Sequence, residues 1–346
     1  MDKIKQTFPA IDVAKLVMAV WVVIIHKPLF LHPFPRYMMG SVIGSAAVPF
    51  FFAAAAFLLF RKLNRTTARP VSVWLQYEKR MLLLYAVYTI IYLPCIFVNN
   101  HTGHYADVTI GAIVGESVRL VKNFFLTTSF VHFWYMSTLI LSIAVLFFLT
   151  RVVKNKWAVL LVGVIAYAAV TLTYAALDLP VLTPGISPVY YNAAKKGLLC
   201  CCLGYFAAQT DDDVPQWEKA LCPVLWIGLI VCGALTYGND ALLWENARLI
   251  AAFACAYSTL RVCIGSGLRP SPVYPILRRY STLIYFLHLL LMWEGWACIC
   301  RHVGIRNPAV HPFLYFCVTL FLAVAESTII ILLQKKKRFN FLKILF

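Results

Sequence analysis

This sequence predicts an all-α, polytopic integral membrane protein of about ten transmembrane helices with both termini cytoplasmic. Three observations carry that reading. Of 346 residues, 62% are hydrophobic and 13% charged, and the mean hydropathy is +0.78, too apolar for a water-soluble domain of this size. The apolar residues gather in runs of roughly 17 to 25, the length a helix needs to cross a bilayer. Most of the 31 Lys and Arg residues fall in alternate connections, so one side of the membrane collects them, as the positive-inside bias requires.

The first span runs from Ile11 to Leu31 as "IDVAKLVMAVWVVIIHKPLFL". It lacks a small-residue cleavage site and is followed directly by another apolar run, so it reads as an uncleaved anchor. Further spans are expected over 42–60, 81–98, 133–150, 157–177, 190–209, 220–237, 246–263, 281–300 and 312–333. With that number the basic tail "QKKKRFNFLK" and the basic connection from Arg61 to Arg80 fall on the same, cytoplasmic side. Between the third and fourth spans, Asn99 to Phe130 forms a long outer connection. Within it "GAIVGESVRLVKNFF" has helical apolar spacing interrupted by Glu116, Arg119 and Lys122, and reads as a loop helix packed on the bundle. The inner connection "RVCIGSGLRPSPVYPILRRYS" is rich in Gly and Pro, which predicts an irregular backbone whose arginines serve orientation. No repeat and no Gly/Ser-rich or Pro-rich linker divides the chain, so residues 1–346 are expected to form one domain.

The net charge of +17 does not point to nucleic acid, because the basic residues follow membrane topology rather than a patch or stripe. The 11 cysteines, including the run Cys200, Cys201 and Cys202, mostly fall in spans without zinc-like paired spacing. They read as small apolar residues, and no metal is expected. There is no GxGxxG and no Gly-Lys-Ser/Thr phosphate loop.

Ionisable groups inside spans are costly and usually functional, which directs attention to Lys15 and His26 in the first helix. Their spacing of eleven residues leaves them roughly 20° apart around the helix and about 16 Å apart along it. A histidine near the outer end suits a general base for an acceptor arriving from outside. Lys15, about two turns from the inner surface, suits an anionic cytoplasmic donor, and Asp12 stands three residues before it, placed to pair with it. The plainer reading is a snorkelling lysine and an interfacial histidine. His132, Trp134 and Tyr135 stand together at the outer start of the fourth helix in "SFVHFWYMSTLILS"; membrane anchoring explains the two aromatics better than it explains the histidine. His288, seven residues into the ninth span, and Glu294 beyond it either line the cavity or pair internally. Lys79 and Arg80, at the inner mouth of the third span, suit the phosphates of a nucleotide-like donor, although positive-inside bias explains them equally well.

Four stretches in order, "AIDVAKLVMAVWVVIIHK", "AVPFFFAAAAFLLF", "HFWYM" and "YSTLIYFLHLLLM", resemble the integral membrane acyltransferase family 3, ten-helix proteins that O-acylate sugars and cell-wall polymers. The family's first-helix motif, Arg or Lys followed after ten residues by His, is matched by Lys15 and His26. Its Phe-Phe followed by Ser-Gly is here Phe51 and Phe52 followed by Ala53 to Ala56. Its two arginines three apart are here Tyr77 and Arg80, with Lys79 beside the retained one. Lysine at the first position resembles the Gram-positive branch, which includes the membrane portion of vancomycin-resistance serine racemases; the present chain is expected to be a standalone membrane module. The resemblance implies transfer of an acyl group, acetyl first among them, from cytoplasmic acyl-CoA to a hydroxyl of an extracytoplasmic glycan or cell-wall acceptor. His26 would be the catalytic base, aided by His132, and Lys15 would act near the donor. The implied partners are the lipid bilayer, acyl-CoA and that acceptor. Two other readings stand beside it: a transporter or permease for a small polar metabolite such as an amino acid, which would use the same buried cations and histidines, and a non-catalytic sensor that keeps the fold.

Overall fold

The structure is a computed structural model that describes residues 8–93, 110–126, 128–176, 191–239, 242–291 and 311–346. Among these, every regular element is helical. In chain order the main helices are α1 (Pro9–His26), α2 (Ala47–Arg65), α3 (Pro70–Ile91), α4 (Ile110–Leu126), α5 (Trp134–Val152), α6 (Lys156–Ala176), α7 (Leu198–Ala208), α8 (Gln216–Leu235), α9 (Leu242–Ile264), α10 (Val273–Leu290) and α11 (Pro312–Leu333). A short helix, Pro33–Tyr37, a π-turn, Met38–Val42, and a 3-10 turn, Ile43–Ala46, lead without interruption into α2. A second π-turn, Ala193–Gly197, leads into α7.

Among the described residues, seven helical segments are long and apolar enough to cross a membrane: α1, the run from Pro33 through α2, α5, α6, α8, α9 and α11. The chain is a multi-pass helical membrane protein. Three other expected spans are helical in their described parts but differ in kind. The α3 helix carries Glu78, Lys79 and Arg80 in its middle, α10 carries Arg278 and Arg279, and α7 is 11 residues long.

Two expectations are corrected. The third helix begins at Pro70 rather than at residue 81, because proline fixes the first helical turn and the residue before it, Arg69, is held extended. Since α2 continues to Arg65, the basic connection shrinks to residues 66–69, and Lys79 and Arg80 stand in mid-helix rather than at a helix mouth. The Gly- and Pro-rich connection likewise narrows to residues 265–272. Arg261 lies within α9 and Arg278 within α10, each in an ion pair: Arg261 with Glu218 at 2.8 Å, Arg278 with Asp12 at 2.8 Å. These two arginines therefore hold helices together as well as contributing charge.

The chain divides into two compact units, one comprising the residues up to Ala54 with Thr210–Ile344 and Phe346, the other Ala55–Gln209 with Leu345. In the first unit α1, α10 and α11 share a seam of Ala19, Val23, Ile24, Ile284, Phe316 and Ala323. Small side chains in that seam let the helices approach closely, which is how packing is achieved where lipid offers no hydrophobic drive. A second seam joins the π-turn and the 3-10 turn to α8 and α9 through Val42, Ala46, Leu229, Ala252 and Cys255. In the second unit Gly197 lies against Ser142 and Thr138 of α5, and Gly163 of α6 lies against Cys202 of α7. The outward faces of α6, α8 and α11 are apolar, with Leu161, Leu235 and Phe321 among their exposed side chains, as a bilayer solvent requires.

Candidate active site

The site in the first unit is built by two parallel helices. Near their beginnings, the Asp12 carboxylate of α1 accepts two hydrogen bonds from the Arg278 guanidinium of α10, Nε to Oδ1 and Nη2 to Oδ2, each 2.8 Å. Near their ends, the imidazoles of His26 and His288 face one another with centroids 5.3 Å apart and planes at 40°. Carboxylate to arginine at one end and histidine to histidine at the other fix the common direction of α1 and α10. Asp12 is thus committed to Arg278, 266 residues away, rather than serving only as a neighbour for Lys15. Lys15 lies one turn beyond Asp12 on α1 and, like His26, is half-buried.

His288 is fully buried. Its Nδ1 lies 2.7 Å from the Tyr285 carbonyl and 3.1 Å from that of Ile284. Carbonyl oxygens only accept, so these contacts assign a proton to Nδ1. Beside the pair, the Lys27 ammonium sits 4.1 Å over the Tyr315 ring of α11, and Phe51 packs on the α1–α10–α11 seam and on Tyr285. The helix stops at His26 because Lys27 turns extended ahead of Pro28. Gly44 of the 3-10 turn passes so close that a Cβ there would lie 2.7 Å from Ile25 Cγ1 and 3.2 Å from the Met39 carbonyl. Gly44→Val is therefore expected to push the end of α1 and to lower turnover about tenfold, since misplacement of a reacting group by an ångström is costly. Steady-state kinetics on the folded variant check this, and unchanged kcat would show that His26 tolerates the shift.

The other predicted residues lie in the second unit or beyond the described residues. His132 is buried in the 3-10 turn Val131–Phe133 just ahead of α5, in an aromatic nest 4.1 Å from the Phe133 ring centroid, 5.0 Å from Tyr92 and 5.5 Å from Phe130. Trp134 is half-buried, with the Lys196 ammonium 5.8 Å from its ring, and Tyr135 is buried. Lys79 and Arg80 are exposed on α3 beside buried Glu78, whose Oε1 accepts from Trp74 Nε1 at 2.9 Å. Glu294 lies outside the described residues. Among the described residues no three His, Cys, Asp or Glu side chains gather as a metal site.

Sequence reasoning treated His26 and His288 as separate candidates and Arg278 as an orientation signal. A partial signal was present: α10, like α1, carries a cation and then a histidine, Arg278 and His288 standing ten positions apart where Lys15 and His26 stand eleven.

A family model described as an acyltransferase domain, that of the type-three acyltransferases, matches residues 8–332, nearly the whole chain. The chain belongs to the type-three membrane acyltransferase family. The match includes every residue of the α1–α10 site, so the two helices that carry the histidine pair are part of the acyltransferase domain itself. The chain is also similar to an amino-acid racemase of Enterococcus faecalis, 23% identical over 162 residues, covering 46% of this chain and 21% of the racemase. The chain thus aligns with about a fifth of the length of that relative. No solved structure matches.

Proposed function

We propose that this membrane acyltransferase moves an acyl group, acetyl first among them, from cytoplasmic acyl-CoA to a hydroxyl of an extracytoplasmic glycan or cell-wall acceptor, with His26 as general base. The observation that carries the proposal is the His26–His288 pair at the end of α1 in a chain of this family. His26 takes the proton of the acceptor hydroxyl as its oxygen attacks the thioester carbonyl. The C–S bond then breaks, the new ester forms, and the CoA thiolate leaves with the proton returned by the imidazolium. His288, its Nδ1–H held by the main chain, orients its neighbour. Lys15 offsets charge developing on the donor side.

The test is CoA release by the purified protein in lipid, with acetyl-CoA alone and with glycan acceptors added. Hydrolysis alone needs no known acceptor. Substrate flux without CoA release would replace transfer with transport. The exposed cations of α3 give a second expectation. Lys79→Gln with Arg80→Gln raises KM for acyl-CoA about tenfold with little change in kcat, because uniform binding of donor phosphates is lost. An unchanged KM assigns the two residues to membrane orientation.

A further inference from the structure

We infer that Asp12 and Arg278 are positioning residues: their bidentate pair locks the rotation of α1 against α10 and so sets the distance between His26 and His288. The inference rests on the reading of His26 as the base, and its test separates the two.

The geometry is specific. Fourteen residues separate Asp12 from His26, which places them within about 40° of each other around α1. The residue that grips α10 and the proposed base therefore share one face. A fork-to-fork contact of two parallel 2.8 Å bonds fixes orientation as well as separation, which a single ammonium contact does not. The seam above it is apolar, with Ala19, Val23 and Ile284 among its side chains, and holds the helices in contact without a directional bond. A rotation of α1 by 20° would carry a side chain at a radius of about 6 Å through about 2 Å. That is enough to open the imidazole pair. The carboxylate itself is 5% exposed, so its charge needs a partner, and the partner present is an arginine on the helix that bears the second histidine. On the Arg278 side the helix is braced further, with Ser281 Oγ donating to the Arg278 carbonyl at 2.8 Å and Tyr280 hydrogen-bonded to Thr328 of α11 at 2.7 Å.

A rival role is available to Arg278, whose side chain is 52% exposed and can meet a donor phosphate directly. The experiment compares the full chain in lipid nanodiscs as wild type, Asp12→Asn, Arg278→Gln, Arg278→Lys and the reversed pair Asp12→Arg with Arg278→Asp, following CoA release from acetyl-CoA. A positioning pair lowers kcat between about tenfold and a hundredfold in each single neutral variant, leaves KM within about twofold, and recovers most of the loss in the reversed pair. Arg278→Lys, which keeps the charge but loses the fork, falls between. A rise in KM with no recovery on reversal assigns Arg278 to the donor and overturns the inference, as does wild-type kcat in every variant.

A second readout does not depend on turnover or on the reversed pair folding. Cysteines placed by His26→Cys and His288→Cys are oxidised mildly, and the cross-linked peptide is identified by mass spectrometry. The link forms when Asp12 and Arg278 are intact and forms at least about tenfold more slowly with Asp12→Asn. Equal rates overturn the inference. If His26→Ala retains turnover, the reading of His26 as base fails while the cross-link still decides the clamp.

Discussion

His26→Ala is expected to reduce CoA release by about three orders of magnitude while the protein remains folded and still binds acyl-CoA. General-base assistance by a positioned histidine contributes between about a hundredfold and ten thousandfold, and no other group on α1 can replace it: Lys15 stands three turns away and Asp12 is held by Arg278. On the proposed mechanism the imidazole acts on the reacting proton, so the loss is expected in kcat with donor KM nearly unchanged. The measurement is single-turnover CoA release in lipid, with acetyl-CoA binding followed separately. His26→Asn, which keeps a polar side chain of similar reach but not the titratable nitrogen, is expected to be as impaired as alanine. Turnover in either variant within tenfold of wild type would remove His26 from the chemistry and leave the imidazole pair as a packing feature.

The largest expected loss of stability lies elsewhere in the same unit, at Gly233 of α8. A Cβ there would lie 2.5 Å from both methyl carbons of Val42 and 3.0 Å from its Cβ. Val42 is fully buried in the π-turn, and a β-branched side chain has no alternative rotamer that clears both methyls at once. Gly233→Leu should therefore destabilise by about 3 kcal/mol, at the upper end of what overpacking costs, and lower the thermal unfolding temperature in detergent accordingly. Gly233→Ala costs less and is expected to be relieved by Val42→Ala, since the second change removes the atoms that the first one meets. If Gly233→Leu unfolds at the wild-type temperature, the π-turn is not held against α8 as described.

Much of the helical plan was legible because lipid imposes a length and an apolarity that can be read locally. The last span, expected at 312–333, is α11 to the residue, with Pro312 at its first position. The fourth and fifth spans match α5 and α6 within two residues at each end. The third failed for a physical reason: Glu78, Lys79 and Arg80 looked like a connection, yet the helical backbone satisfies its own hydrogen bonds and tolerates charges whose side chains point outward, as those of Lys79 and Arg80 do. The π-turns were not legible, because an extra residue in a helical turn leaves no trace in a hydrophobic pattern. For the site, Lys15, His26 and His288 were each visible as ionisable groups in apolar runs. Their pairing was not. Local spacing offers Asp12 to Lys15, whereas the Arg278 contact depends on which helices become neighbours, a property of tertiary packing.

The Asp12–Arg278 contact also bears on how the molecule is made. The two residues are 266 positions apart, and a ribosome adding about 5–20 residues per second delivers the second on the order of tens of seconds after the first. Throughout that interval the nascent α1 holds a carboxylate without its eventual arginine in a segment bound for lipid. Its final seating beside α10 is a late event of biogenesis, and a product truncated before Arg278 possesses His26 without the helix that faces it. On the proposed mechanism, half-synthesised copies are expected to be inert toward acyl-CoA, and completion of the chain doubles as the step that arms it.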